Sequence, residues 1–215
     1  MKNTKNINKI TTGAEVSKRE EIIQVASRLF SLKGYNATSL QDIADEVGLH
    51  KTSLFHYFRN KEEILMEVME ISFKEYTEIL KDSVKNGTIS AEEKFRLALE
   101  EQVSVICEYN HYINVALNEI KSLTPGNRGK YTRTRNDYGK HFEKIIREVQ
   151  ADEKSNLFKG IDSRIITLGI LGMCNWIIKW YRKDGPLTPK EISDIFFRMI
   201  TKTGKGTNPT PREKT

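Results

Sequence analysis

The stretch Ser39–Glu63, SLQDIADEVGLHKTSLFHYFRNKEE, joins two short helical patterns at Gly48. Ser39 supplies a hydroxyl that caps free helix amides, and Asp42, three residues on, completes a capping box. Leu40, Ile43, Ala44 and Val47 then recur at helical spacing, so one face is apolar. Gly48 suits a turn that needs positive φ, and Leu49 plugs the angle between the two helices. The spacing predicts a second helix from about His50 to Phe58, with Leu54 and Phe58 inward. His50, Lys51, Thr52 and Phe55 are left on its exposed opening turns, where a recognition helix meets base edges. Asn60 to Glu63 reads as a further N-cap and capping box opening a long helix, with Lys61 in its first turn. A helix dipole disfavours lysine there, and a neighbouring phosphate would explain it. Small, polar and aromatic side chains on the second pattern give it the build of a helix-turn-helix reader rather than a packed interior.

Residues 17–66 resemble the DNA-binding domain of the TetR family of bacterial transcriptional regulators. The run SLQDIADEVGLHKTSLFHYFRNKEEIL follows the family pattern, and Val16 to Gly34 is similar to its first helix. The resemblance implies an all-α homodimer: an N-terminal three-helix domain reading palindromic operator DNA, and a C-terminal helical domain for dimerisation and effector binding. It also implies operator contacts from His50, Lys51 and Thr52, and phosphate contacts from Ser39, Ser53, Tyr57 and Lys61. Phe55 stands where tyrosine is usual, which removes a hydroxyl contact but leaves a ring able to meet a thymine methyl or pack on sugar. Ser-capped helix pairs also occur as ordinary packing; a surface lysine can be merely solvated, and His50 can simply cover its turn.

The 215 residues, 38% hydrophobic and 30% charged, are enough for a small domain fused to a larger helical one. The expected organisation is a flexible arm over 1–14, a helix-turn-helix domain over 15–60, an effector and dimerisation domain over 61–202, and a flexible tail over 203–215. Formal charge is +6, and residues 1–60 hold nine Lys or Arg against six Asp or Glu, the sign that phosphate attraction requires. Cys107 and Cys174 read as reduced core thiols rather than a disulfide framework. Met1–Ala14 lacks the apolar core of a secretory signal, and glycines, Thr167 and Asn175 interrupt the apolar run of 165–178, so a cytoplasmic protein without membrane spans is expected.

Helical patterns cover most of the remainder: Lys18–Lys33, Lys61 to about Lys85 ending at Asn86–Gly87, Ser90–Glu108, Tyr112–Leu123, Arg128–Gln150, Asp162–Tyr181 and Thr188–Lys202. Pro125–Gly126 and Gly185–Pro186 mark breaks. Trp176 and Trp180, four apart, fall on one helical face, Gly169 and Gly172 permit close approach of a helix or ligand, and Asn175 needs a hydrogen-bond partner in an apolar run. An interface hot spot accounts equally well for the tryptophan pair.

From Gly126 to Ile200, most clearly at NWIIKWYRKDGPLTP, the chain resembles TetR regulators of fatty-acid or sterol breakdown that respond to acyl-coenzyme A thioesters. The resemblance implies an acyl-coenzyme A effector and no resident cofactor. Lys179 stands where that subgroup often has arginine, keeping the charge but losing the bidentate fork. Between Arg128 and Arg147 seven Lys or Arg face only Asp137 and Glu143, so Arg128, Arg133 and Arg135 offer a phosphate-binding edge, with Tyr131 or Tyr138 to stack on adenine. A solvated basic helix is the alternative. Met173, Asn175, Trp176, Lys179 and Trp180 belong to the same candidate site. An acyl cavity would draw on Val103, Ile106, Val115, Leu117, Phe142 and Ile166, each of which also reads as plain core. Free fatty acids, steroids or drugs are rival effectors. His50, His56, His111 and His141 form no compact metal set, and neither a phosphate-cradling loop nor a nucleophile motif appears, so an enzyme is not expected. A ligand-binding or protein-interaction module is the remaining rival.

Overall fold

The computed structural model describes residues 17–72 and 89–203, and the chain divides into two compact units. The first takes in the chain as far as Ser72 together with His111–Tyr131; the second takes in the rest. All regular elements among the described residues are helical, as the patterning predicts.

In the first unit α1 (Lys18–Lys33) opens on a capping box in which Ser17 accepts from the Glu20 amide and the Glu20 side chain returns to Ser17 N. Such a cap contributes about 1 kcal/mol. The helix buries Ile22, Ile23, Ala26 and Phe30 and closes at Gly34, whose φ of 85° is a conformation glycine adopts freely. Ser39 and Asp42 form the second capping box, at the start of α2 (Leu40–Glu46). Gly48, at φ 66°, makes the turn. The expected helix over His50–Phe58 shortens to α3 (Lys51–Leu54), because the chain then tightens: His56 N bonds Ser53 O and Tyr57 N bonds Leu54 O, three residues back. Leu54 and Phe58 still reach the core. α4 begins at 61 and is helical through 72; its expected course to Lys85, the stop at Asn86–Gly87, the N-terminal arm and nearly all of the tail lie outside the described residues.

The expected helix over Tyr112–Leu123 divides into α6 (Asn110–Asn118) and a 3₁₀ turn (Ile120–Ser122), where Ser122 N reaches back only to Glu119 O. The break expected at Pro125–Gly126 falls at Leu123–Thr124, and Pro125 itself opens α7 (Pro125–Ala151), three residues ahead of the expected start, in the first turn where no N–H is required.

The second unit centres on α5 (Ala91–Glu108), against which pack α8 (Ser163–Asn175), a 3₁₀ turn (Trp176–Lys179) and α9 (Pro189–Thr203). Fully buried Phe95 has three aromatic neighbours, Phe142, Phe158 and Phe197, at centroid distances of 6.5, 5.4 and 5.9 Å. Phe158 takes φ 65°, a strained conformation for a bulky residue. Gln150 Nε2 holds that loop by donating to Phe158 O and Ile161 O at 2.8 and 2.7 Å. Lys94 ties α5 to α7 through Glu148 at 3.1 Å. Burial pushes the Cys174 thiol up to about 12 and the Cys107 thiol up to about 11, so both stay protonated near neutral pH. The helix expected over Asp162–Tyr181 is not continuous. α8 ends at Asn175 with Cys174 buried, and the 3₁₀ turn that follows buries Ile177.

Phe95→Ala removes the ring that its three aromatic neighbours share, and the expected cost is about 3–5 kcal/mol of stability, measured by urea denaturation.

Candidate nucleic-acid interface

α3 is anchored from behind. Leu54 and Phe58 are buried, and the Arg19 guanidinium lies 4.1 Å from the centre of the Phe58 ring while donating to Tyr57 O and pairing with Glu67 of α4. The opposite side of this turn is open. Lys51, Thr52 and Phe55 are exposed, Phe55 by 51%, and the His50 backbone caps the helix while its side chain makes no capping bond. An apolar ring half in water gains from burial against a partner surface. His56 and Arg59, in the turn and bend that follow α3, are exposed as well.

Ser39 is exposed; its Oγ accepts from Asp42 N at 3.0 Å, and its hydroxyl donates to the Asp42 carboxylate. Asp42 returns the bond to Ser39 N at 2.8 Å, and these bonds hold its carboxyl below the usual range. Ser53 and Tyr57 are half-buried. Lys61 departs from the expectation of a free cation. Its Nζ donates to Tyr35 O and Thr38 O at 2.8 Å each and sits 4.2 Å from the Tyr35 ring centre, so two of its three donors hold the loop between α1 and α2. Partial burial lowers its pKa, against the opposing pull of Asp42 and Glu119.

The residues expected around an effector are divided between the two units. Arg128 lies in the first unit, where Nη2 donates to Lys121 O and Leu123 O at 3.0 Å each and caps the 3₁₀ turn. In the second unit Arg133 and Arg135 are exposed and carry no ion pair among the described residues. Tyr138 is not available to stack: its ring is buried and its hydroxyl donates to Gln102 Oε1, while Phe142 packs on Phe95. Val103 and Ile106 are likewise core, and Leu117 is exposed. Met173 and Asn175 are half-buried, and Lys179 and Trp180 are exposed.

An exposed apolar stripe begins at Ile161, two residues before α8, and ends at Trp176 in the 3₁₀ turn after it. Ile161, Ile165, Leu168 and Trp176 are 55%, 62%, 57% and 65% exposed, and a Cβ built at Gly169 or Gly172 would meet nothing within 4 Å. Beside it an open groove is lined by Met173 of α8 and by Ile195, Arg198, Met199, Ile200 and Lys202 of α9. No described helix is long and apolar enough to cross a membrane.

Residues 22–68 match the description "Bacterial regulatory proteins, tetR family", and residues 88–203 match "Tetracyclin repressor-like, C-terminal domain". Among solved structures, the TetR family transcriptional regulator PfmR from Thermus thermophilus is 31% identical with a TM-score of 0.76, covering 84% of this chain and 97% of its own. AibR, in a complex with isovaleryl coenzyme A and operator DNA, is 26% identical with a TM-score of 0.75, covering 86% and 98%. The HTH-type transcriptional repressor KstR2 of Mycobacterium tuberculosis (strain ATCC 25618 / H37Rv) is 28% identical over 192 residues, 86% of this chain and 91% of its own. An exposed reading turn on a three-helix scaffold and a second helical unit, matched at both ends by family profiles, establish that the chain belongs to the TetR family of DNA-binding regulators and is not an enzyme.

Proposed function

We propose that this regulator is a repressor that binds palindromic operator DNA as a homodimer and is released by an acyl-coenzyme A thioester of lipid or sterol metabolism. The observation that carries the effector is the likeness, over more than four-fifths of the chain, to AibR bound to isovaleryl coenzyme A and to the KstR2 repressors. Arg133 and Arg135, exposed and without an ion pair among the described residues, suit phosphate groups, and Lys179 adds a point charge rather than a fork. In the DNA-bound form His50, Lys51, Thr52 and Phe55 meet base edges, and Ser39, Ser53, Tyr57 and the remaining donor of Lys61 meet phosphates. The α8 stripe and the α8–α9 groove serve as the dimer face, with Gly169 and Gly172 admitting a partner helix closely. Ligand releases DNA only in so far as it binds one arrangement of the dimer better than the other.

Titrating the purified protein with acyl-coenzyme A thioesters and matched free fatty acids under native mass spectrometry is expected to show chain-length-dependent thioester binding at one or two molecules per dimer. Free acids binding as well as thioesters would remove coenzyme A from the proposal. Lys51→Ala is expected to cut the preference for the best operator over random duplex by about 5- to 150-fold, the 1–3 kcal/mol of a base contact, in competition binding. Leu168→Asp puts a charge in the α8 stripe and is expected to yield monomers in analytical ultracentrifugation; an intact dimer would place the interface elsewhere.

A further inference from the structure

The loop from Gly34 to Thr38 joins α1 to α2 and fixes where Ser39 begins α2. Two charged side chains from distant parts of the first unit grip it. Lys61 of α4 takes the carbonyls of Tyr35 and Thr38. Glu119, at the end of α6, accepts from Tyr35 N through Oε1 at 3.2 Å, while its Oε2 accepts from Ser122 Oγ at 2.7 Å. Glu119 Oε1 also lies against Gly34, 3.6 Å from where a Cβ would stand, an ordinary van der Waals distance. The turn between α6 and α7 is also fastened to α4: Glu62 accepts from Thr124 N at 2.8 Å and from Asn127 Nδ2 at 2.9 Å. A carboxylate accepting a backbone N–H is a charge-assisted bond, stronger than a neutral one. The turn between α6 and α7 is therefore attached to both the loop before α2 and the first turn of α4, without passing through α3.

We infer that Glu119 is a positioning residue for DNA binding: by holding Tyr35 N against the pull of Lys61 on the same loop, it sets the place of Ser39, and hence of the phosphate-facing start of α2. The inference rests on the DNA-reading role of this unit. It concerns a residue that touches no DNA and whose partner lies 84 positions away.

The test uses the full-length protein, a duplex selected from a random pool by the wild type, and two substitutions. Glu119→Gln keeps an acceptor oxygen and is expected to hold amide-exchange protection at Tyr35 and duplex affinity within about twofold of wild type. Glu119→Ala is expected to expose the Tyr35 amide to exchange about tenfold faster and to weaken the duplex about tenfold. It should also make the salt dependence shallower by roughly one phosphate contact per half-site, a change that lowered stability alone does not produce. Unchanged Tyr35 protection in Glu119→Ala, or unchanged affinity and salt slope, would overturn the assignment. If that variant does not fold, Ser122→Ala, which removes only the hydroxyl orienting Glu119, carries the same expectation at smaller amplitude. A wild type that selects no duplex would count against DNA reading itself, while Tyr35 protection still decides the contact.

Discussion

A helix of one turn does not hold its own shape, because fixing its backbone costs more than its few hydrogen bonds return. α3 has four residues, so its place in the first unit is imposed from outside. Leu54 and Phe58 supply apolar anchorage, and Arg19 supplies the rest. Its guanidinium donates to the carbonyl of Tyr57, pairs with Glu67 and covers the Phe58 ring, tying α1, the end of the reading turn and α4 at one point. A planar fork with an apolar face makes all three contacts at once, which a lysine ammonium does not.

Anchorage from behind frees the front. Lys51, Thr52, Phe55 and His56 need not contribute to folding, and so remain available for a partner surface. The start of α2 follows the same division of labour. Ser39 and Asp42 satisfy each other's backbone, while the loop before them is held by Lys61 and Glu119. Lys61 sits awkwardly in a first turn by dipole rules, and the two carbonyls it holds account for it as well as a phosphate does.

Legibility in the sequence followed the range of the interaction. Capping boxes at Ser17 and Ser39, the turn at Gly48 and the bounds of α1 span three or four residues each, and all could be read directly. The extent of α3, the break after Asn118 and the 3₁₀ turn at Trp176 depend on what lies across the unit, and a periodic pattern carries through them unmarked. Nothing local to Glu119 announces its contact with Tyr35, which is far away in the chain. Tyr138 read as a stacking surface because nothing local to it announces Gln102, on α5, as its partner. The apolar spacing of Ile165, Leu168 and Trp176 is equally silent on what covers them, and all three are exposed.

Magnitudes decide which contacts a regulatory change would exchange. Coupling between two ligands typically amounts to about 1–3 kcal/mol, a 5- to 150-fold change in affinity. A hydrogen bond to a charged group contributes about 1.5–3 kcal/mol, so exchanging the bonds that Glu62 makes to Thr124 and Asn127, or the one that Glu119 makes to Tyr35, supplies that amount. Loosening the packing around Phe95 costs more, and the close-packed core resists small displacements. α7 begins at this turn, its residues belonging to the first unit as far as Tyr131 and to the second from Thr132. Within the first unit, the carboxylate bonds to Thr124 and Asn127 beside that first turn are contacts whose exchange matches such a coupling in size.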